Sequence, residues 1–374
     1  MSLKLPYQAD AQLQVDFIAY LQRLLVEGDF VATYKFALLH ALADICIERP
    51  LHSDVTANLH DALDSVITID ELVVKFIELY WQHSLPYNGE NNSPFILLQN
   101  SGAQSALIQS LAVFRSQGVR TVGQLKQHAD WNKLVSKTRS TFKQGPLWRL
   151  QLLAGKEECF YYQHDTSIKY IQLKPGIAFC FRRFYDLVVS LSRTHWTQKV
   201  SAFPANYAAI GGYGNLSDFL FGSDRSSIIS ARPVFEEIQQ GKCFYCNKPL
   251  KDEGSHKGEV DHFIPWARYP NDLGHNFVLA HSACNNAKRD HLAAQRHKDR
   301  WHEQNIIRNE KLITTELSKY FVCESSRSEA IAAWAYQLAL QGESSLWLTG
   351  KQFESVIPPE SGLNALSSGK TVIY

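Results

Sequence analysis

Apolar residues recur at helical spacing through the first part of the chain, and the period predicts its elements. Residues 10–27 read as an amphipathic helix closed by Gly28. Residues 32–48 (ATYKFALLHALADICIE) are apolar on nearly every side and predict a second, buried helix. Residues 69–84 predict a third, with Asp70 capping its start and Pro86 stopping it. NGENNSP at 88–94 has turn chemistry, and further helices are predicted at about 103–117 and 121–143. Near Pro146 the pattern shortens. LWRLQLL, ECFYYQ and KYIQLKP read as short strands, and 178–203 as a long amphipathic helix. Residues 204–224 are rich in Gly, Asn and Ser and predict a linker or mobile loop. ISARPVFEEIQQG is a short helix delivering the chain into CFYC, VDHFIPWARYP (260–270) begins as a strand, and about 304–342 is helical again.

These elements predict a mainly α protein with a small β element. The expected layout is a helical domain over 1–203, a linker over 204–228, and a metal-stabilised C-terminal domain over 229–374 with its core at 236–303. Composition agrees with an ordinary soluble globular chain, 45% hydrophobic and 20% charged. A net charge of +1 excludes an overall basic field, so nucleic-acid binding would need a local patch. The N-terminus MSLKLPYQADAQ lacks a signal-type apolar run and no stretch has membrane-spanning length, so a cytoplasmic protein without a membrane partner is expected. No Walker loop and no G-x-G-x-x-G is present. The aromatic residues Tyr80, Trp81, Trp131, Trp148, Tyr161 and Tyr162 are assigned to core packing, and Lys35, Arg182 and Arg183 form no basic stripe.

The unusual chemistry lies between Cys243 and Leu292. Three of the seven cysteines fall there, and seven of the fourteen histidines lie between 256 and 302. Cys46, Cys159, Cys180 and Cys323 sit in apolar surroundings and read as small core residues. Cys243-x-x-Cys246 and His281-x-x-Cys284 are two ligand pairs separated by 34 residues, a spacing that closes a four-ligand structural zinc shell. Asp261 and His262 are adjacent on a predicted strand, so regular pleating would send them to opposite faces unless the strand ends or bulges before Pro265. Converged on one site, His262 would face a water while Asp261 and the amide oxygen of Asn285, beside the ligand Cys284, would hold a divalent cation.

The order D-H, N, H-x-x-C-N-x-x-K over about 236–303 resembles the HNH endonucleases, also called His-Me finger or ββα-metal nucleases. His281, where the family usually has a thiolate, is the departure. The resemblance implies a zinc-stabilised ββα-metal fold and a set of roles. His262 is the general base. Asp261 and Asn285 coordinate one Mg²⁺ or Mn²⁺. Asn276, 14 residues after His262, braces the loop between the strands and helps orient the imidazole. Lys288 and Arg289 are candidates for phosphate contact or, equally, for a solvated helix face, His291 is an alternative ligand, and His275 is a loop residue. Trp266, Arg268 and Tyr269 either line the substrate groove or pack over the zinc module. Between 236 and 311, 12 Lys and Arg face 11 Asp and Glu, so the module should hold DNA weakly alone. Another surface or a protein partner is then expected to bring the substrate. The arrangement of a non-catalytic domain ahead of the nuclease resembles that of bacterial anti-phage effectors and restriction enzymes. The expectation is a metal-dependent DNA endonuclease. The alternatives are a zinc-bound DNA- or protein-binding module without activity, and an RNA-cleaving nuclease.

Overall fold

The computed structural model describes residues 9–28, 31–50, 65–88, 94–163, 165, 169–211, 215–222, 228–251, 253–342, 344–356 and 372–373. The chain divides into two compact units. One is Leu5–Ile47 with His52–Gly222; the other is Met1–Lys4, Glu48–Leu51 and Ser223–Tyr374. Most of the expected turn at 88–94 lies outside the described residues.

The first unit is built around the helix Tyr34–Glu48, whose side chains from Lys35 to Ile47 are all buried. Ala11–Glu27 precedes it, capped by Asp10, whose carboxylate accepts from the Leu13 N–H at 2.7 Å. The third helix, Ile69–Trp81, starts at the expected residue but is not capped by Asp70. Thr68 is the cap, in a reciprocal capping box with Glu71, because a hydroxyl at that position satisfies the orphan N–H three residues on. Asp70 lies in the first turn and pairs with Arg139 at 2.5 Å. The predicted helix at 121–143 is two, Val122–Gln127 and Trp131–Gln144. Between them His128 Nδ1 accepts the Asp130 N–H at 3.1 Å, a local bond that competes with helix continuation. The helix over 178–203 is likewise broken, into Ile177–Arg183 and Tyr185–Ser201. The break at Phe184 lets Phe181 and Phe184 both reach Phe17, at 5.1 and 6.0 Å.

Of the predicted short strands, Tyr170–Gln172 pairs antiparallel with Val66–Thr68, a strand the pattern did not announce. In LWRLQLL, Pro146–Arg149 is a helical turn with proline at its start, and only Leu152–Leu153 pairs, with Lys156–Glu157. ECFYYQ forms no strand. The buried Gln151 amide takes a partner strand's place there, accepting from the Tyr161 N–H at 2.7 Å and donating to the Tyr162 carbonyl at 2.9 Å. The expected linker carries the helical turns Pro204–Asn206, Tyr207–Ile210 and Leu216–Phe221. Its Asn residues serve as anchors: buried Asn206 donates to the carbonyls of Leu98 and Val200, and Asn215 caps Leu216–Phe221.

The second unit opens with the helix Arg232–Ile238, which packs Phe235 against Phe277, Leu279, Ile313, Leu317 and Phe321. Two antiparallel strands follow, Gly258–His262 and Phe277–His281, in unbroken register from Gly258↔His281 to His262↔Phe277. The short helix Ser282–Lys288 comes directly off the second strand. The tail consists of Gln295–Trp301, a π-helical turn His302–Arg308, Glu310–Leu317 and Ser325–Gln341. It supports the strands from behind. Trp301 stacks on Phe263 at 5.0 Å, and buried Asn305 donates to the carbonyls of His275 and Phe277 at 2.9 and 2.8 Å. A hairpin of Ser345–Thr349 and Gln352–Ser355, extended by Val372–Ile373, was not predicted. Among the described residues no helix is long and apolar enough to cross a membrane.

Candidate metal centre and active site

The turn after Arg232–Ile238 presents the first two thiols. The Asn247 N–H donates to the Cys243 carbonyl, with Asn247 at φ +59°, and the Phe244 N–H donates to the Leu279 carbonyl at 2.9 Å. That last bond ties the turn to the second strand. The strand ends in His281, and Cys284 lies in the first turn of the helix that follows. Ligand atoms of Cys243, Cys246, His281 and Cys284 all lie within 4.8 Å of one another. His281 Nδ1 is 3.2 Å from the Cys246 sulfur and 4.0 Å from that of Cys284. His281 Nε2 meets the Pro249 carbonyl at 3.0 Å, and a carbonyl only accepts. The ring proton therefore sits on Nε2 and the Nδ1 lone pair faces the thiols. A hydrogen bond from Cys284 pulls the Cys243 thiol down to about 5, with backbone N–H groups of Cys246, His281 and Tyr245 adding to the effect against burial; the same bond pushes Cys284 up. Three sulfurs and one imidazole in this compass fit a tetrahedral metal shell with no open position, the donor chemistry of structural zinc.

The first strand is regular through His262, with no end or bulge before that residue, so its side chains alternate and the expected convergence of Asp261 and His262 on one face does not occur. Glu259 and Asp261 share one face; Val260 and His262 share the other. On the first face the helix Ser282–Lys288 lies alongside. Asn285 donates its amide to Glu259 at 3.3 Å. One turn later Lys288, fully buried, reaches Asp261 at 3.0 Å and the His262 carbonyl at 2.8 Å. Asp261 also accepts from the Tyr245 hydroxyl at 2.6 Å. Three oxygen-bearing side chains, Glu259, Asp261 and Asn285, thus border one helix face. With its nitrogen given to Glu259, Asn285 keeps Oδ1 without a partner among the described residues. Both Asp261 oxygens are engaged, by Lys288 and by the Tyr245 hydroxyl, so a cation held by Asp261 and Asn285 would have to share Asp261 with the ammonium.

On the opposite face the His262 ring lies between Trp266, at 5.4 Å, and Phe277, at 5.1 Å. Its Nε2 is 2.8 Å from Asp272 Oδ1. Asn276 clamps the chain just beyond: its amide accepts from the Ile264 N–H at 2.8 Å and donates to the Ile264 carbonyl at 3.0 Å.

The remaining expected residues fall as follows. Lys288 turns its charge inward rather than to the surface, a correction to its candidate place at phosphate, because a buried carboxylate claims it. Arg289 is exposed, at φ +50° where the helix ends. His291 packs edge-on to Phe353 at 4.9 Å. His275 is buried against the Glu310 carbonyl at 3.3 Å, and burial lowers its pKa. Tyr269 is buried and bonded to Arg327 at 2.8 Å, so it lines no groove; Arg268 is half-buried. Tyr245, Glu259 and Asp272 were not singled out in the sequence. Glu259 was accessible to a period-of-two argument from Asp261, and Tyr245 lies inside CFYC. Asp272 carried no local signal.

A zinc-type clasp that fixes a helix against a strand bearing Asp-His defines a class. Residues 243–294, in the C-terminal unit, match the family model for HNH endonucleases. No curated protein and no solved structure matches the chain.

Proposed function

We propose that the protein is a metal-dependent HNH endonuclease that hydrolyses DNA phosphodiester bonds, as a nick or a double-strand cut. The observation that carries this reading is the HNH endonuclease match over 243–294, on a segment whose Cys/His cluster sets the helix bearing Asn285 beside the strand that bears Asp261 and His262. His262 is the general base. Its side chain keeps 12% exposure, enough for a water to reach it, and imidazole is the side chain type most often used as a general base. The imidazole takes the water's proton as the water oxygen bonds to phosphorus; the bond to the leaving oxygen breaks, and that oxygen is protonated from solvent. Asp261 and Asn285 would hold Mg²⁺ or Mn²⁺, with Glu259 orienting the Asn285 amide. When bound, the cation supplies positive charge to the phosphate oxygens. Asn276 fixes the chain after His262, so the imidazole's backbone does not drift. Cys243, Cys246, His281 and Cys284 hold structural Zn²⁺, and Arg289 contacts phosphate. A near-neutral module fits delivery of DNA by another surface or a protein partner, in the cytoplasm, in anti-phage defence or restriction.

The test is conversion of supercoiled plasmid with Mg²⁺ or Mn²⁺, with an RNA arm alongside. Wild type should nick or linearise the plasmid. His262→Ala should lose on the order of 100-fold or more in rate, the lower part of the range for removing a general base. Equal nicking by both proteins overturns the reading, and cleavage of RNA alone changes the substrate.

A further inference from the structure

We propose that Asp272 is a positioning residue for His262, holding the imidazole so that Nε2 carries the proton and Nδ1 is turned to the attacking water. This rests on the reading of His262 as the base.

Two kinds of contact act on the ring. Trp266 and Phe277 flank it at 5.4 and 5.1 Å and limit its plane. Apolar walls cannot distinguish one ring nitrogen from the other. The contact that does so is the 2.8 Å bond between Nε2 and the Asp272 carboxylate. A carboxylate accepts and does not donate, so Nε2 is the protonated nitrogen. Nδ1 then holds the lone pair, and it has no hydrogen-bond partner among the described residues. A base needs that lone pair pointed at its proton donor, and a ring free to choose its tautomer spends part of its time unable to act.

Asp272 is itself held on both sides. Ahead of it Tyr269 is buried, and the Asn271 N–H donates to the Tyr269 carbonyl at 2.9 Å. After it Leu273 is buried and bridges to Val322, while the Gly274 N–H donates to the Val322 carbonyl at 3.0 Å. The Asn276 N–H closes the turn on the Leu273 carbonyl at 2.9 Å. The backbone that carries the carboxylate is therefore anchored on both sides, as suits a group that orients another.

The experiment uses the full chain as wild type, Asp272→Ala, the near-isosteric Asp272→Asn, and His262→Ala. Two readouts are taken: steady-state cleavage of a labelled DNA, and two-bond proton–nitrogen NMR of the histidine rings, where the signals missing in His262→Ala identify residue 262. Wild type should show the Nε2–H form alone. An amide can donate or accept, so Asp272→Asn should mix the two tautomers; Asp272→Ala should do the same. Both should lose kcat by about 10–100-fold, the usual cost of removing a group that orients a functional histidine, with KM within about twofold. If both variants keep wild-type kcat and a pure Nε2–H ring while His262→Ala is inactive, the assignment of Asp272 fails and the nuclease reading stands. If His262→Ala cuts as well as wild type, the nuclease reading fails instead, and the NMR spectra alone decide the orientation of the ring. Loss of bound zinc and of the folded second unit in both Asp272 variants would make Asp272 a folding residue and also overturn the assignment.

Discussion

An ammonium shut away from water must have its charge answered, and Lys288 finds the answer in Asp261 and the His262 carbonyl. Removing one partner of such a pair leaves the other charge stranded. Lys288→Met should destabilise the second unit by about 3 kcal/mol, read from chemical denaturation. Buried imidazoles act in the first unit. Burial pushes His83 down to about 3 and holds His40 well below its usual range, with the positive charge of Arg193 adding to both. Each is neutral in the fold, whereas the unfolded imidazole takes a proton below its ordinary value of 6.5. The unfolded state then binds more protons, so stability is fully present above pH 6.5 and is lost as pH falls toward 3. The loss approaches about 1.4 kcal/mol per pH unit for each such histidine, and urea midpoints at successively lower pH will measure it. At this scale the clustering of Cys243, Cys246, His281 and Cys284 was readable because tight turns impose the spacing within each pair. Asp272 was not, because a ten-residue excursion through a loop imposes no period on either end.

Among elements, the long helices announced themselves by apolar spacing, while their ends depended on single side chains. The capping box makes the point. Thr68→Ala should cost about 1 kcal/mol in the first unit, measured by thermal or urea unfolding, and Asp70→Ala less, since Asp70 is exposed and caps nothing. Strands of two or three residues, such as Val66–Thr68 and Leu152–Leu153, are too short to show alternation at all. Where Gln151 stands in for a strand, the local pattern of ECFYYQ is strand-like, and the missing partner is visible only in three dimensions.

For the whole molecule, the change in composition at 204–222 marked caps and turns, and the seam between the units falls at Gly222/Ser223. Gly- and Asn-rich sequence ends helices as readily as it links domains, so composition alone places no boundary within such a segment. The Cys243, Cys246, His281 and Cys284 cluster joins a turn, a strand end and a helix. Purified protein should therefore carry about one zinc per chain by elemental analysis, as a closed four-ligand shell requires. Cys246→Ser should unfold the second unit while the helical signal of the first persists, followed by circular dichroism and limited proteolysis. A zinc-free chain with an intact second unit would refute that account.

The five-rung ladder from Gly258↔His281 to His262↔Phe277 works as a ruler. It sets the imidazole about 13 Å along the strand from the clasp, at the usual rise per residue. Inserting one alanine after Val260 would leave composition and hydrophobicity almost untouched, yet it would exchange the faces of Asp261 and His262. Length variation in descendants of this chain should therefore collect in the stretch before Gly258 and avoid the strand itself. A library of single-residue insertions, selected for plasmid cleavage, would map that tolerance directly.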